Sequence, residues 1–490
     1  MSETACSKQG RGKPEPNPAL VEHEPYLPVT ERSNPLTRDI DRADSEHIVH
    51  LLKACDAEIF HRDWGRLLNQ QVEYDPEESL VVISGCGTSG RLAFLLAVTT
   101  ELTKTDAPFI AGQLDFCINN LNVFTPAVVG FNLANMARNE PIPSWHLTFR
   151  QVIERMEELQ KRKKAFIINP VVGPEAISGS SRLKGGSTTK IILETIFLGA
   201  HEAVSAYKRI TAEDVMDRIR MYEQVHKITY SQSEMIASLV HLRKEGHVYY
   251  VGWSTLGIMG IIDASECIPT FGADAKDICG FINQGYNEMK NKDGDLTALG
   301  PEFCISHMDF VNTILPSVTE LDTVIFLFTQ DDGLCEIETL ANRTKQRTSN
   351  LHAISHDLLG SEDLVSCVVK VMQELSTKWI LNAVSTGGHI LKGKIFRNYM
   401  MDLKVTNSKL FKRAVNILQM ITGCLPTVCI RALLQAVYDT EDVTDDMTAA
   451  EVTKHTTLAP TRSRVKIVRF NTEVLGLVCK VCYCLYMQFQ

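Results

Sequence analysis

Two segments rich in glycine and hydroxyls are where this sequence could do chemistry. The first, Gly85-Cys-Gly-Thr-Ser-Gly90, follows a short β-branched run, Ser79-Leu-Val-Val-Ile-Ser84, and precedes an apolar helix expected over 91–102. It fits G-x-G-x-x-G, the turn that lays a dinucleotide pyrophosphate on a helix N-terminus. A dinucleotide site also needs an acidic residue closing the next strand, about 20 residues on. Glu101 and Asp106 lie near that distance, but neither ends a β-branched strand. What sets the turn apart is Thr88-Ser89, two hydroxyls at the start of a helix whose first N–H groups lack partners. Such a nest suits a phosphate, although a tight turn with a hydroxyl N-cap accounts for the same residues.

The second segment tips the balance. Phe166-Ile-Ile-Asn-Pro170 reads as a strand, and Gly173-Pro-Glu-Ala-Ile-Ser-Gly-Ser-Ser-Arg-Leu-Lys-Gly-Gly-Ser-Thr-Thr-Lys190 follows it. Ser178, Ser180, Ser181, Arg182 and Lys184 crowd one loop, and Ser187 is placed to cap the next helix. Hydroxyl donors and positive charge with little apolar surface are what an anionic sugar requires. This is no nucleotide P-loop, because Lys184 precedes two glycines where that motif puts its lysine after one. Two weaker candidates lie further on: Glu266, which can accept from sugar hydroxyls, and Lys409, which can reach an anion. A surface glutamate and a solvated helix face are the plain alternatives. The fourteen histidines form no H-E-x-x-H pair, no G-x-S-x-G elbow occurs, and no cofactor or metal motif is found.

The elements that position these residues are those of an α/β chain. Strand, glycine-rich turn and helix in that order form one α/β unit, and the unit recurs. Val248-Tyr-Tyr-Val251, Gly252-Trp-Ser-Thr-Leu-Gly257 and a helix over 258–266 repeat the pattern at 79–102, with both turns reading G-x-x-T-x-G. Thr188-Thr-Lys-Ile-Ile-Leu-Glu194 and Ser376-Thr-Lys-Trp-Ile-Leu-Asn382 form a second pair, each expected to open a helix. Gly85 and Gly252 lie 167 residues apart and Lys190 and Lys378 188, so two diverged halves are expected. The second half also has the strand Thr323–Thr329, a polar turn and a helix from about Cys335. The first half lacks a counterpart between Gly90 and Pro108. Helices are expected over 43–60 and 409–422, and an acidic loop over 439–446.

Composition narrows the function. A chain of 490 residues exceeds one core, and 44% apolar with 22% charged residues is ordinary globular usage. A net charge of −9 argues against nucleic acid as a partner. The longest uncharged apolar stretch, 248–262, falls short of the roughly 18 residues of a membrane helix. The first residues read as a disordered tail without a signal sequence. Fourteen cysteines without a framework spacing point to free thiols in a reducing compartment, Cys479-x-x-Cys482-x-Cys484 included. The basic run Gln160–Lys164 fits either nuclear import or a helix end before a strand.

With these residues in view, the chain resembles the glucokinase regulatory protein family of tandem sugar isomerase (SIS) domains and, more distantly, the N-acetylmuramic acid 6-phosphate etherases. The resemblance rests on Ser33-Asn-Pro-Leu-Thr37, Gly85 to Phe94, Gly173 to Lys190, Val251 to Gly257, Glu374 to Trp379 and Asn407-Ser-Lys-Leu-Phe411, spread in order along the chain. It implies two tandem SIS parallel-sheet modules and an α-helical lid: an N-terminal tail and helix over 1–67, an incomplete first module over 68–209, a second over 238–394, and the lid with a divergent C-terminus over 395–490. It implies one sugar-phosphate site, with Thr88, Ser89, Ser180 and Ser181 on the phosphate or nearby hydroxyls, Glu266 accepting from sugar hydroxyls and Lys409 adding charge from the lid. It implies no catalysis and no cofactor. The implied role is inhibition of glucokinase, promoted by fructose 6-phosphate and relieved by fructose 1-phosphate, in cytoplasm and nucleus. The family carries a glutamate and a serine-rich loop before Pro108-Phe-Ile-Ala-Gly-Gln113, and an apolar aromatic stretch between the positions of His356 and Glu374; this chain lacks both. An etherase-like or isomerase-like enzyme, and a chain left without function by these gaps, are the competing expectations.

Overall fold

The second half is built on a parallel sheet of short strands whose two central members are buried on both faces. β3 (Val248–Gly252) lies between β4 (Ile278–Ile282) and β5 (Thr323–Thr329), and β6 (Leu351–His356) pairs with β5, giving the order β4-β3-β5-β6. All five residues of β3 are buried, as a central parallel strand requires. The strand period of two sorts them: Val248 and Tyr250 join one core with Ile325 and Leu327, while Tyr249 and Val251 join another with Phe281, Phe310, Val324 and Phe326. The computed structural model describes residues 26–68, 81–84, 88, 90–93, 95, 110–139, 145–205, 207–240, 246–289, 294–356, 365–403, 405, 408–438, 440, 442–450, 452 and 454–455.

The first half has less sheet among the described residues. β1 (Ala127–Val129) pairs in parallel with β2 (Phe166–Ile168), and Ile83 forms a single β-bridge. Helices α1 (Ile110–Asn119) and α2 (Phe149–Lys161) cover this pair through Leu114, Ile118, Val152 and Met156. Thr148 and Gln151 close a capping box at the start of α2. The basic run at 160–164 ends that helix and leads into β2 after Lys163, at φ 57°. The helical residues 88, 90–93 and 95 follow the glycine-rich turn; the rest of the expected helix to Leu102 lies outside the described residues.

The two halves meet along long helices. α3 (Lys184–Ser205) leaves the serine-rich loop, and α4 (Ser254–Phe271) follows β3 directly. The expected turn Gly252–Gly257 is shorter than its motif: Trp253 alone separates strand from helix, so Gly257 is already helical. A Cβ on Gly252 would stand 2.4 Å from the Cα of Gly257. The paired glycines therefore serve close strand-to-helix packing. α5 (Val365–Leu391) runs through the centre, and Ser376-Thr-Lys lies in its interior where a helix opening was expected. The motif marks a buried contact and not a cap, since α5 meets both α3 and α4.

The N-terminal stretch closes the assembly. The helix Ser45–Ala57 is capped by Asp44, which accepts from the N–H of His47 at 2.8 Å. Ahead of it Asn34 donates to Pro174 O (2.9 Å), Thr37 to Ala176 O (2.6 Å) and Ser33 to Asn398 (3.0 Å). The 33–37 motif thus ties the serine-rich loop to the hairpin Ile395–Met400. α6 (Ser408–Thr422) and α7 (Pro426–Tyr438) form the lid. Among the described residues no single helix is long and apolar enough to cross a membrane; α6 and α7 together pass on composition but bend by 117°. The expected acidic loop is partly helical, Asp445–Ala449. Cys479, Cys482 and Cys484 lie outside the described residues, and those cysteines that are described are free thiols.

One buried ion pair joins loop to core. The Arg182 guanidinium donates to Asp263 on α4 (2.9 Å) and to Ser385 (3.1 Å) and Thr386 (2.7 Å) on α5. Asp263 also accepts from Tyr250 (3.1 Å). Asp263→Ala leaves this guanidinium buried without its counter-charge, and denaturant unfolding should show a loss of about 3–5 kcal/mol. A loss under about 1 kcal/mol would mean the pair does not hold the halves together.

Candidate functional site

The serine-rich loop ends where Glu175 takes both free N–H groups at the start of α3, from Lys184 (2.9 Å) and Gly185 (3.0 Å). The helix therefore begins three residues before Ser187, whose hydroxyl donates back to Leu183 O at 3.1 Å. The expectation that Ser187 caps this helix is corrected: the cap is a carboxylate from upstream. Burial pushes the Glu175 carboxyl up to about 7, with Lys184 and the two N–H groups offsetting part of that rise.

The two cations of the loop do not face a ligand. Arg182 is held by Asp263, and the buried Lys184 pairs with Glu58. Both are structural, against the expectation that they lend charge to a bound anion. The hydroxyls divide. Ser180 is 3% exposed and its Oγ has no partner among the described residues, whereas Ser181 is exposed. A buried hydroxyl without a partner marks a place where a polar ligand or water fits.

The remaining expected residues converge on the junction from several elements. The Thr88 methyl and the Lys378 ammonium lie 3.2 and 3.3 Å from the point where a Cβ on Gly186 would stand. Thr88 of the first half therefore abuts α3 and α5 together. Arg91, one turn on, brings its guanidinium to 3.6 Å from Glu266 on α4. Glu266 is 4% exposed, and its Oε1 accepts no hydrogen bond among the described residues. Ser89 lies outside the described residues.

Lys409 is exposed on the lid. Desolvation and the neighbouring Arg413 cation hold its ammonium below the ordinary lysine range. Arg413 makes a bidentate pair with Glu31, at 2.7 and 2.8 Å, and its guanidinium stands against Gly179 in the serine-rich loop. Burial raises the Glu31 carboxyl, but Arg413, with Lys409 and Arg138, more than offsets this and leaves it below the ordinary range. Lys409, Arg413 and Arg138 thus form a basic edge where lid and loop meet.

Lys378 was not among the expected site residues. Its ammonium donates to Arg182 O at 2.6 Å and, with the Asn382 amide turned to satisfy both its atoms, to Asn382 at 2.8 Å. Burial lowers its pKa, with Glu266 and Asp56 acting against the fall. The repeated Thr-Lys motif pointed to it, but read as the start of a helix it carried no ligand.

Among the described residues the second half offers no equivalent anion site. Ser254 at its turn donates to Asp332 (3.1 Å), so a carboxylate stands where a phosphate would. A cleft of about 370 Å³ opens beyond β4, lined by Gln284, Tyr286, Asn287, Asp295, Ser306 and Asp309 among others, without a cation among the described residues. No group of three or more metal-ligating side chains occurs among the described residues.

Comparison with known proteins accords with this architecture. The chain matches the glucokinase regulatory protein N-terminal SIS domain over residues 66–106, its second SIS domain over 230–367 and its C-terminal lid domain over 397–480. It is 41% identical to the glucokinase regulatory protein of Xenopus laevis over 550 residues, covering 91% of this chain and 89% of that one. The chain belongs to the glucokinase regulatory protein family. The human glucokinase regulatory protein is 40% identical over 557 residues, covering 92% of this chain and 89% of the human one. An N-acetylmuramic acid 6-phosphate etherase of Caldanaerobacter subterraneus subsp. tengcongensis is 27% identical over 266 residues, covering half of this chain and 85% of the etherase. The fold is accordingly that of tandem SIS modules with a C-terminal lid, and the family is one of regulators, with etherases as distant and partial relatives.

The Glu175 cap carries a pH signature. Its folded pKa of about 7 lies above the unfolded value of 4.5. Its contribution to stability is therefore full below pH 4.5 and is lost as pH rises through 7, by about 3 kcal/mol. Glu175→Gln should flatten the decline in melting temperature between pH 5 and 8. An unchanged slope would show that this carboxyl titrates normally.

Proposed function

We propose that this chain is a sugar-phosphate-responsive inhibitor of glucokinase, its inhibition promoted by fructose 6-phosphate and relieved by fructose 1-phosphate. Membership of a regulator family supports the regulatory role. The observations that carry the ligand reading are that Thr88 stands against Gly186 and Lys378 and Arg91 of the same segment against Glu266, where first half and second half meet, and that Ser180 and Glu266 each hold a buried oxygen without a hydrogen bond among the described residues. In this reading Thr88, Ser89, Ser180 and Ser181 hold the phosphate or nearby hydroxyls, Glu266 accepts from sugar hydroxyls, and Lys409 closes the site from the lid.

Such an arrangement suits regulation. A ligand touching both halves and the lid biases their relative placement by its differential affinity for the two arrangements. A partner docking on one arrangement is then favoured or disfavoured without any bond being broken. We place the protein in cytoplasm and nucleus, where glucokinase is the partner to be met.

Two measurements test this. Fructose 1-phosphate at a hundred times its Kd should stabilise the folded chain by about 2.7 kcal/mol, read as a rise in melting temperature. Purified chain should then lower glucokinase activity more with fructose 6-phosphate present than with fructose 1-phosphate. Glucokinase activity unchanged by the protein under both conditions would refute the inhibitor reading. A cooperative transition unmoved by either sugar phosphate would refute the ligand reading.

A further inference from the structure

The repeated Thr-Lys motif puts two buried lysines in related surroundings, and the difference between them assigns a further ligand-binding residue. Lys190 lies on α3 and Lys378 on α5, at matching positions of the two halves. Each faces the residue four positions ahead of the other. Glu374, four before Lys378, accepts from the Lys190 ammonium at 2.6 Å; Gly186, four before Lys190, faces the Lys378 ammonium, which lies 3.3 Å from where its Cβ would be. The residue four positions after each lysine differs in the same sense. Glu194 pairs with Lys190, and Asn382 accepts from Lys378.

Lys190 is therefore neutralised by two buried carboxylates, Glu194 and Glu374, with Tyr222 donating to Glu194 at 3.0 Å. Lys378 is 3% exposed, and its ammonium meets two neutral carbonyl oxygens, from Arg182 and Asn382. An ammonium has three protons, and no third acceptor for Lys378 is found among the described residues. The nearest carboxylates act on it through space without a hydrogen bond. A buried charge in this state is costly unless an anion joins it. With no side chain at Gly186, the Lys378 ammonium and the Thr88 methyl from the first half close on the same spot, with no carboxylate between them.

We propose that Lys378 is a binding residue for the anionic group of the ligand, and that the exchange of glutamate for glycine between positions 374 and 186 makes one of two related lysines a receptor while the other is neutralised from within. This rests on the sugar-phosphate reading of the site and adds to it the cation that Arg182 and Lys184, both paired internally, do not supply. It also explains why the ligand must bridge the halves: the hydroxyls come from the first and the charge from the second.

The test compares fructose 1-phosphate affinity in the full-length native chain, Lys378→Gln and Gly186→Glu. Glutamine keeps an amide donor toward the Arg182 carbonyl while removing the charge. Glutamate at 186 reproduces opposite Lys378 the arrangement that neutralises Lys190. Both variants should bind at least about tenfold more weakly, the effect of losing one charged hydrogen bond, whereas Glu374→Gln, at the other lysine, should bind within about twofold of native. Native affinity in a folded Lys378→Gln would overturn the proposal. If that variant does not fold, native affinity in Gly186→Glu overturns it instead. Equal weakening in Glu374→Gln would overturn it too, by showing that any change at the helix pair disturbs the site. A native chain that binds neither fructose 1-phosphate nor inorganic phosphate refutes the site reading itself and leaves no ligand for Lys378.

Discussion

The structure depends on a guanidinium that is almost fully out of water. Arg182 belongs to a loop of the first half, yet among the described residues its side-chain hydrogen bonds all go to the second half. Removing such an ion from water costs several kcal/mol, recovered only where a counter-charge and further acceptors are held in place. Asp263 supplies the charge, and Tyr250, Ser385 and Thr386 complete the set. The pair can form only if the serine-rich loop, α4 and α5 are together, so it fixes the loop that carries Ser180 and Ser181 against the opposite module.

Around this anchor the two halves have kept their shared plan and diverged in what they expose. Strand, turn and helix recur, and the long helices α3 and α5 meet through matching lysines. The turns differ in charge. At the second, Ser254 is engaged by Asp332; at the first, Thr88 stands beside a lysine without a bonded carboxylate. Lid helix α6 meets the serine-rich loop through Arg413, whose pair with Glu31 reaches the N-terminal stretch and whose guanidinium lies against Gly179.

Much of this was legible in the sequence. β-branched runs bounded by glycine pointed to the central strands, because a central parallel strand must be apolar on both faces, and β3 and β5 follow from that. The repeated G-x-x-T-x-G and Thr-Lys pairs disclosed the duplication. What escaped is side-chain pairing across long separations. Arg182 and Lys184 look like ligand cations until Asp263 and Glu58, far away in sequence, are brought to them. Ser187 has the composition of a cap, but Glu175 reaches the same N–H groups first. Lys378 sits in a motif read as a helix start, while its helix begins at Val365 and buries it. Local spacing reports the backbone; which charges remain free is decided by the tertiary fold.

The central claim is that two related modules assemble a single sugar-phosphate site across their junction. Titration calorimetry of fructose 1-phosphate into the full-length chain tests it most directly through the stoichiometry. The account predicts one ligand per chain. Two would mean that each module keeps a site of its own, and none would mean that the junction encloses no site.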